Sequence, residues 1–246
     1  MINEAKNQDF DERIHDFVAC DRISPETLDD FLANAWRPLG GGFVRHNRAI
    51  SLGVPCFACP LRICLKDFVF SKSQKKLLRK SRNLLVECRP AKLTAAHVDL
   101  FEAHKLRFEE NIPASIFGFL NFPPSISPTT GIEHAVYNNG KLIAASFMHL
   151  GLKGVSSTYC IFDPLSPDLR LGALTMLREI EWCIEHGFEH YYLGYSYDMP
   201  SPFDYKYNFY ALERYDWKNS LWVDQERIPV RNWRQEFKKT TANLSH

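Results

Sequence analysis

Residues 133 to 197 follow an order that few folds accommodate. "EHAVYNNGKLIAASFMHLGLKGVSSTYCIFDP" holds three apolar runs, the first two joined by an Asn-Gly turn signal, and predicts an antiparallel meander. "LGALTMLREIEWCIEHG" follows, with Leu174, Leu177, Ile180, Glu181 and Ile184 at helical spacing and Gly187 as the stop. "HYYLGYSY" then returns as a strand, in which Gly194 marks a close backbone approach. Strand, strand, strand, helix, strand implies a mixed α+β sheet.

Upstream, "ISPETLDDFLANAWRPLG" predicts a helix capped by Ser24 with Pro25 at its first position, ended by Pro38 and the glycines from 40 to 42. Short strands follow through residue 70. A helix over "SQKKLLRKSRNLL" is expected next, capped by Ser71 or Ser73, with Leu77, Leu78, Leu84 and Leu85 facing inward. "LLVECRP" is an expected strand, "TAAHVDLFEAHKLRFEE" a helix opened by Thr94, and "IPASIFGFLNFPPSISPTTG" a surface loop.

Charge separates these regions. Within "FSKSQKKLLRKSR" (70 to 82), six residues are positive in a chain whose net charge is only +1. From Leu61 to Lys92, ten Lys or Arg stand against Asp67 and Glu87, a local excess of eight. Such a patch is the footprint of a polyanion or an acidic partner. Apolar runs such as Ala144 to Met148 fall well short of the roughly 20 residues that cross a bilayer. The opening "MINEAKNQDFDERIHDF" is neither a secretory nor a transit signal. Seven scattered cysteines do not form a disulfide framework, so a cytoplasmic location without membrane association is expected.

The strand–helix order is the one an N-acyltransferase of the GNAT type shows, although it fits other α+β folds. In that type, splayed central strands hold a carbonyl donor beside an incoming amine. The expected fold class is therefore α+β. A GNAT-like N-acyltransferase fold occupies residues 93–246, after a smaller α/β region, 1–92, that carries the basic helix.

Four stretches, in order, carry a resemblance: "LDDFLANAWRPLGGGFVRH", "CFACPLRICLKDFVFSKSQKKLLRKSRNL", "GKLIAASFMHLGLKGVSSTYCIFDPLSPDLRLGALTMLREIEW" and "HYYLGYSYDMPSPFDYKYNFYALE". Together they resemble the arginyl-tRNA–protein transferases and their bacterial relatives, the aspartate/glutamate leucyltransferases, over roughly residues 26 to 215. The resemblance implies transfer of an amino acid, arginine or leucine, from aminoacyl-tRNA to the free N-terminal amine of a protein or peptide beginning with Asp or Glu. The ester to tRNA is already activated, so the co-substrate is aminoacyl-tRNA and no other cofactor is implied.

On that reading, Lys72, Gln74, Lys75, Lys76, Arg79, Lys80 and Arg82 are the candidate tRNA-binding residues, with the cations neutralising phosphates without reading sequence. Amine attack needs a proton acceptor and stabilisation of an oxyanion. His149, Tyr159, Tyr205 and Lys206 are the candidate catalytic residues, and His149 stands where the family pattern has Asp. Alternation places Ser157 and Tyr159 on one face of their strand, with Ser156 on the other. Trp36, Arg37, Arg62 and Ser157 are the candidates for the acceptor, an arginine pairing with its carboxylate. Each also has a plain structural reading: solvated helix face, core histidine or tyrosine, internal salt bridge. Cys56 and Cys59 form a lone CxxC, from which no metal site is assembled, and the cysteine cluster common near the family's N-terminus is replaced by Cys20 alone.

Two other readings stay open. An acyl-CoA-dependent GNAT enzyme needs a Gly-rich pyrophosphate turn where this chain has "LSPDLRLGALT"; a non-catalytic RNA-binding protein needs only the basic helix.

Overall fold

The computed structural model describes residues 12–51, 53–108 and 112–227. The start of the polar leader and the last two residues of the "TAAHVDLFEAHKLRFEE" stretch lie outside them.

A small antiparallel sheet comes first. Its strands are β1 (His15–Ala19), β2 (Arg37–Leu39) and β3 (Gly42–His46), in the order β1-β3-β2. Helix α1 (Pro25–Ala33) sits between β1 and β2, and the Ser24 side chain accepts from Thr27 N as its cap. Leu28 and Leu32 of α1 bury against Phe43 and against Tyr192 of the main sheet.

The main sheet begins with β4 (Arg48–Ser51) and the eleven-residue β5 (Val54–Cys64), followed by α2 (Lys72–Lys80) and β6 (Leu85–Pro90). Helix α3 (Ala95–Lys105) precedes the meander β7 (Gly131–Asn138), β8 (Lys141–Leu150) and β9 (Gly154–Phe162). Then come α4 (Leu171–Glu185), β10 (His190–Tyr197), a 3-10 turn (Asp204–Asn208), β11 (Leu212–Asp216) and β12 (Leu221–Asp224). The strand order is β12-β11-β5-β10-β9-β8-β7-β6, with β4 paired to β5. Asn139 and Gly140 both have positive φ in the β7–β8 turn, as the Asn-Gly signal implies. The expected boundary at 92/93 falls between β6 and α3, and the sheet runs across it.

One face of the sheet carries α4 and α2 over a core that includes Ile63, Met148, Leu174, Leu177 and Leu193. The other carries α3 over Phe101, Ala145, Phe147 and Ile161. Fully buried Glu133 bridges to Arg89 (2.6 Å) and His97 (2.9 Å), tying β6, β7 and α3 together.

Two expectations change at α2. The helix ends at Lys80, so Leu84 and Leu85 lie beyond it, and Leu85 is exposed at the start of β6. Ser71, not Ser73, is the cap: its Oγ accepts from Gln74 N, and the Gln74 side chain accepts from Ser71 N at 2.8 Å. That reciprocal pair satisfies two backbone donors that helix geometry leaves unpaired.

The β8–β9 turn is held from a distance. Asp29 on α1 accepts from the backbone N–H groups of Leu152, Lys153 and Gly154 at 2.9 to 3.0 Å. A Cβ at Gly151 would meet the Asp29 carboxylate at 2.0 Å, so the close approach requires glycine there. Three charge-assisted bonds to one half-buried carboxylate make Asp29→Ala destabilising by about 2–3 kcal/mol in urea unfolding. A change within a few tenths would contradict this clamp.

Candidate active site

Strands β9 and β10 run parallel but pair over only three positions, His190–Gly154, Tyr191–Val155 and Tyr192–Ser156. Beyond these, β9 follows β8 to Phe162 while β10 follows β5 to Tyr197. The gap is a wedge with its apex near Ser156 and Tyr192. A bulge at Leu193–Gly194, with Gly194 at φ +76, turns β10 away.

Parted strands strand their backbone carbonyls, and two cations take them. Arg37, from β2, donates to Thr158 O on β9 at 3.2 Å. Lys206, from the 3-10 turn, donates to Tyr195 O on β10 at 2.7 Å. A Cβ at Gly194 would lie 3.3 Å from Arg37 and 3.9 Å from the Lys206 ammonium, so both reach the same point of the wedge. Among the described residues, neither cation has a carboxylate within ion-pair distance. Burial and the Arg37 charge pull Lys206 down to about 7 from its ordinary 10.5. Tyr195 lines the wedge, donating to Ala35 O at 2.8 Å and meeting His46 edge-on at 4.5 Å.

A cavity of about 820 Å³ opens beside the wedge on the α4 side. Ser73, Gln74 and Leu77 of α2 line one wall, the start of α4 (Leu171 to Ala173) another, and Tyr197, Phe203 and Tyr205 the wall next to Lys206. Arg107, Arg170 and Asp163 are its charged lining; the rest is largely apolar. The cavity thus runs from α2 to Phe203 and Tyr205, the neighbours of Lys206, without Lys206 itself in its lining.

The remaining candidates sort by position. Lys72, Lys75, Lys76 and Arg79 are exposed on α2, and Arg82 is exposed just after it. Lys80 donates to Asp168 O at 3.0 Å, and buried Leu77 anchors the helix. Gln74 is committed to its cap and largely buried, so it serves α2 itself rather than a phosphate. Tyr205 is 40% exposed at the cavity wall.

His149 lies on β8, only 2% exposed, opposite Gly131 and Ser156. Burial holds it near 4, neutral and away from the cavity lining, with Nδ1 unpartnered among the described residues. A proton-accepting role does not follow from that position. Arg62 donates to Glu213 at 2.6 Å and to Tyr192 OH at 3.2 Å, and stacks on Trp222, so its fork is occupied internally. Trp36 packs edge-on against Phe31 and under Arg45.

Ser157 and Tyr159 lie on opposite faces, contrary to simple alternation. Phe147 pairs with Tyr159 and Met148 with Ser157, so Thr158 is an extra residue that reverses the pleat. Tyr159 stacks on Phe119 at 3.8 Å on the α3 face, and burial raises it to about 12. Ser157 faces α4, beside Glu179 and Tyr191. Glu179 was missed, because helical spacing favoured Glu181; Glu181 is half-exposed and pairs with Arg178 at 2.8 Å.

Among the described residues no three His, Cys, Asp or Glu side chains are grouped to hold a metal ion, and no helix is long and apolar enough to cross a membrane. All seven cysteines are free.

Residues 84–216 match the family model described as arginine-tRNA-protein transferase, C terminus, which is more than half of the chain. The chain belongs to this family. It is therefore an aminoacyl-tRNA-dependent transferase. A protein named aspartate/glutamate leucyltransferase from Vibrio campbellii is 33% identical over 65% of this chain and 69% of its own length. One of the same name from Campylobacter jejuni is 26% identical over 76% of this chain and 78% of its own. Among solved structures, the C-terminal domain of a putative lysylphosphatidylglycerol synthetase from Agrobacterium fabrum aligns with a TM-score of 0.43 and 14% identity, over 72% of this chain and 54% of that one. The GNAT-like fold stands on the strand order and the wedge.

The shifted lysine has a thermodynamic signature. Its folded pKa lies below its unfolded value, so between about 7 and 10.5 the unfolded chain binds the extra proton and stability rises with pH. Lys206→Met should remove that rise in urea unfolding measured from neutral to alkaline pH. An unchanged slope would place the lysine in contact with water.

Proposed function

We propose that the chain transfers leucine from charged tRNA to the N-terminal amine of proteins or peptides beginning with Asp or Glu, in the cytoplasm. The observation that carries this is the pair of wedge cations, Lys206 buried and Arg37 partly buried, with no carboxylate within ion-pair distance among the described residues. Buried like charges are costly unless an anion completes them. The reaction brings two: the oxyanion of the tetrahedral intermediate and the acceptor's side-chain carboxylate.

In this reading α2 grips acceptor-stem phosphates with Lys72, Lys75, Lys76, Arg79 and Arg82. The 3′ end enters the cavity past Tyr205, and the ester carbonyl reaches the wedge. Lys206 stabilises the oxyanion as the amine attacks. Arg37, on the side of β2, pairs with the acceptor carboxylate, and Trp36 beside it shapes that approach. The cavity favours an apolar donor side chain. Leu, Phe, Ile and Pro make up the largest part of its walls, and Arg107 and Arg170 outnumber Asp163, so arginine is the poorer fit. The names of the curated relatives point the same way.

Mass spectrometry of peptides incubated with the protein and total charged tRNA tests the reaction. A gain of one leucine on Asp- or Glu-initiated peptides is expected, and a gain of arginine, or none, contradicts the reading. Replacing Lys75 and Lys76 by Glu should weaken tRNA binding and flatten its dependence on log salt by about 1.5, some 0.7–0.9 per lost phosphate contact. An unchanged slope would remove α2 from the interface.

A further inference from the structure

One buried ionisable group has no part in the steps above. Glu179, on α4, is 1% exposed. Beneath it a polar row crosses four strands, Cys88 opposite His134, His134 opposite Ser146, and Ser146 opposite Cys160. The flanking positions of this face are Ile132, Val136, Ile143, Ala144 and Met148. A polar row through such a face is costly unless every member is bonded. Yet His134 Nδ1 and Arg178 Nε have no hydrogen-bond partner among the described residues, and Ser146 Oγ and Glu179 Oε1 approach each other without reaching good hydrogen-bond geometry. Unpaired buried atoms gathered in one place are normally satisfied by ordered water.

The row has two ends. At the sheet edge, Cys88 is exposed. At the wedge, Tyr191 OH donates to Glu179 Oε2, and the Ser157 hydroxyl lies against both. Ser157 is the first residue of β9 beyond its last pairing with β10, so its hydroxyl stands at the apex, directly before the Thr158 carbonyl that Arg37 holds.

We propose that Glu179 takes up the proton released by the transfer reaction, acting through the Ser157 hydroxyl, and that the polar row returns this proton to solvent near Cys88. The inference rests on the transfer reading. The acceptor amine arrives as an ammonium with three protons. One stays on the amide nitrogen as the C–N bond forms, and one leaves with the ribose oxygen as the ester C–O bond breaks. The third must be taken by a base. Ser157 passes it on, receiving and giving a proton in the same step, and the Glu179 carboxylate becomes a carboxyl. Glu179 touches neither substrate; it is a positioning residue that orients and recharges Ser157.

The surroundings suit this role. Burial raises the carboxyl to about 7, while the Ser146, Tyr191 and Ser157 hydroxyls oppose the rise. The groups facing it are Cys88 on β6, Ser146 on β8, Ser157 and Cys160 on β9, and Tyr191 on β10, while His134 on β7 lies beside Arg178. Tyr205 approaches from the 3-10 turn, and Arg178 and Cys183 flank it on α4. The Arg178 guanidinium is bonded to Glu181.

The test is single-turnover transfer of labelled leucine from preloaded tRNA to an Asp-initiated peptide, followed across pH. Wild-type rates should fall on the acid side of about 7. Glu179→Gln keeps the shape of the side chain and should slow transfer about a hundredfold, abolish that acid limb and leave tRNA affinity unchanged. Tyr191→Phe removes a hydroxyl that holds the carboxyl down and should move the limb to higher pH. A merely structural role would scale the rate without moving the limb. Product formation with the limb unchanged in both variants overturns this inference alone. No product from the wild-type protein with any charged tRNA overturns the transfer reading and this inference with it.

Discussion

The parting of β9 from β10 is the constraint on which the rest of the molecule depends. A sheet that loses its ladder in mid-strand leaves carbonyls with nothing to accept from, and a buried carbonyl without a donor is costly. Here the donors are cations brought from far along the chain, Arg37 to Thr158 and Lys206 to Tyr195. Under the proposed function, structural repair and reactivity are the same feature. The groups that close the gap concentrate positive charge in a site withdrawn from solvent, where it is worth far more to a developing oxyanion than it would be in water.

Other features position the wedge. Asp29 fixes the turn entering β9, the Thr158 bulge re-aims the strand, and the Gly194 bulge turns β10 outward. The small N-terminal sheet supplies Arg37 to one side of the gap, while α2, α4 and the cavity occupy the other. Under the proposed function, an acceptor amine and a tRNA-borne ester approach from these two sides. Placing the two substrates on opposite faces turns a bimolecular encounter into an oriented one.

Much of this was legible in the sequence because it is local. The capping pattern at Ser71, the Asn-Gly turn, the periodicity of α4 and the basic run on α2 each depend on residues within one or two turns of one another. The failures have equally specific causes. A single extra residue at Thr158 reverses the facing of Ser157 relative to Tyr159, and strand alternation has no means of seeing it. Glu179 escaped notice because a carboxylate on the core side of a helix contradicts the hydrophobic pattern, and Glu181 was favoured in its place. His149 and Arg62 carried chemical promise as residue types, but their neighbours, Gly131 and Ser156 for one and Glu213 and Tyr192 for the other, come from distant parts of the chain. Gln74 belonged to the basic run by position and to the helix cap by geometry.

The central claim is spatial: the cavity that begins at α2 delivers the end of a charged tRNA to the two cations of the wedge. Its most direct measurement is photo-crosslinking with a tRNA that carries leucine through a non-hydrolysable 3′ amide and a photoreactive terminal adenosine, followed by mapping of the crosslinked peptides. The account predicts crosslinks in the segment that holds Phe203 and Tyr205, the cavity wall next to Lys206, and at Leu171 on the α4 wall. Crosslinks confined to the α3 face, around Phe119 and Tyr159, would contradict it.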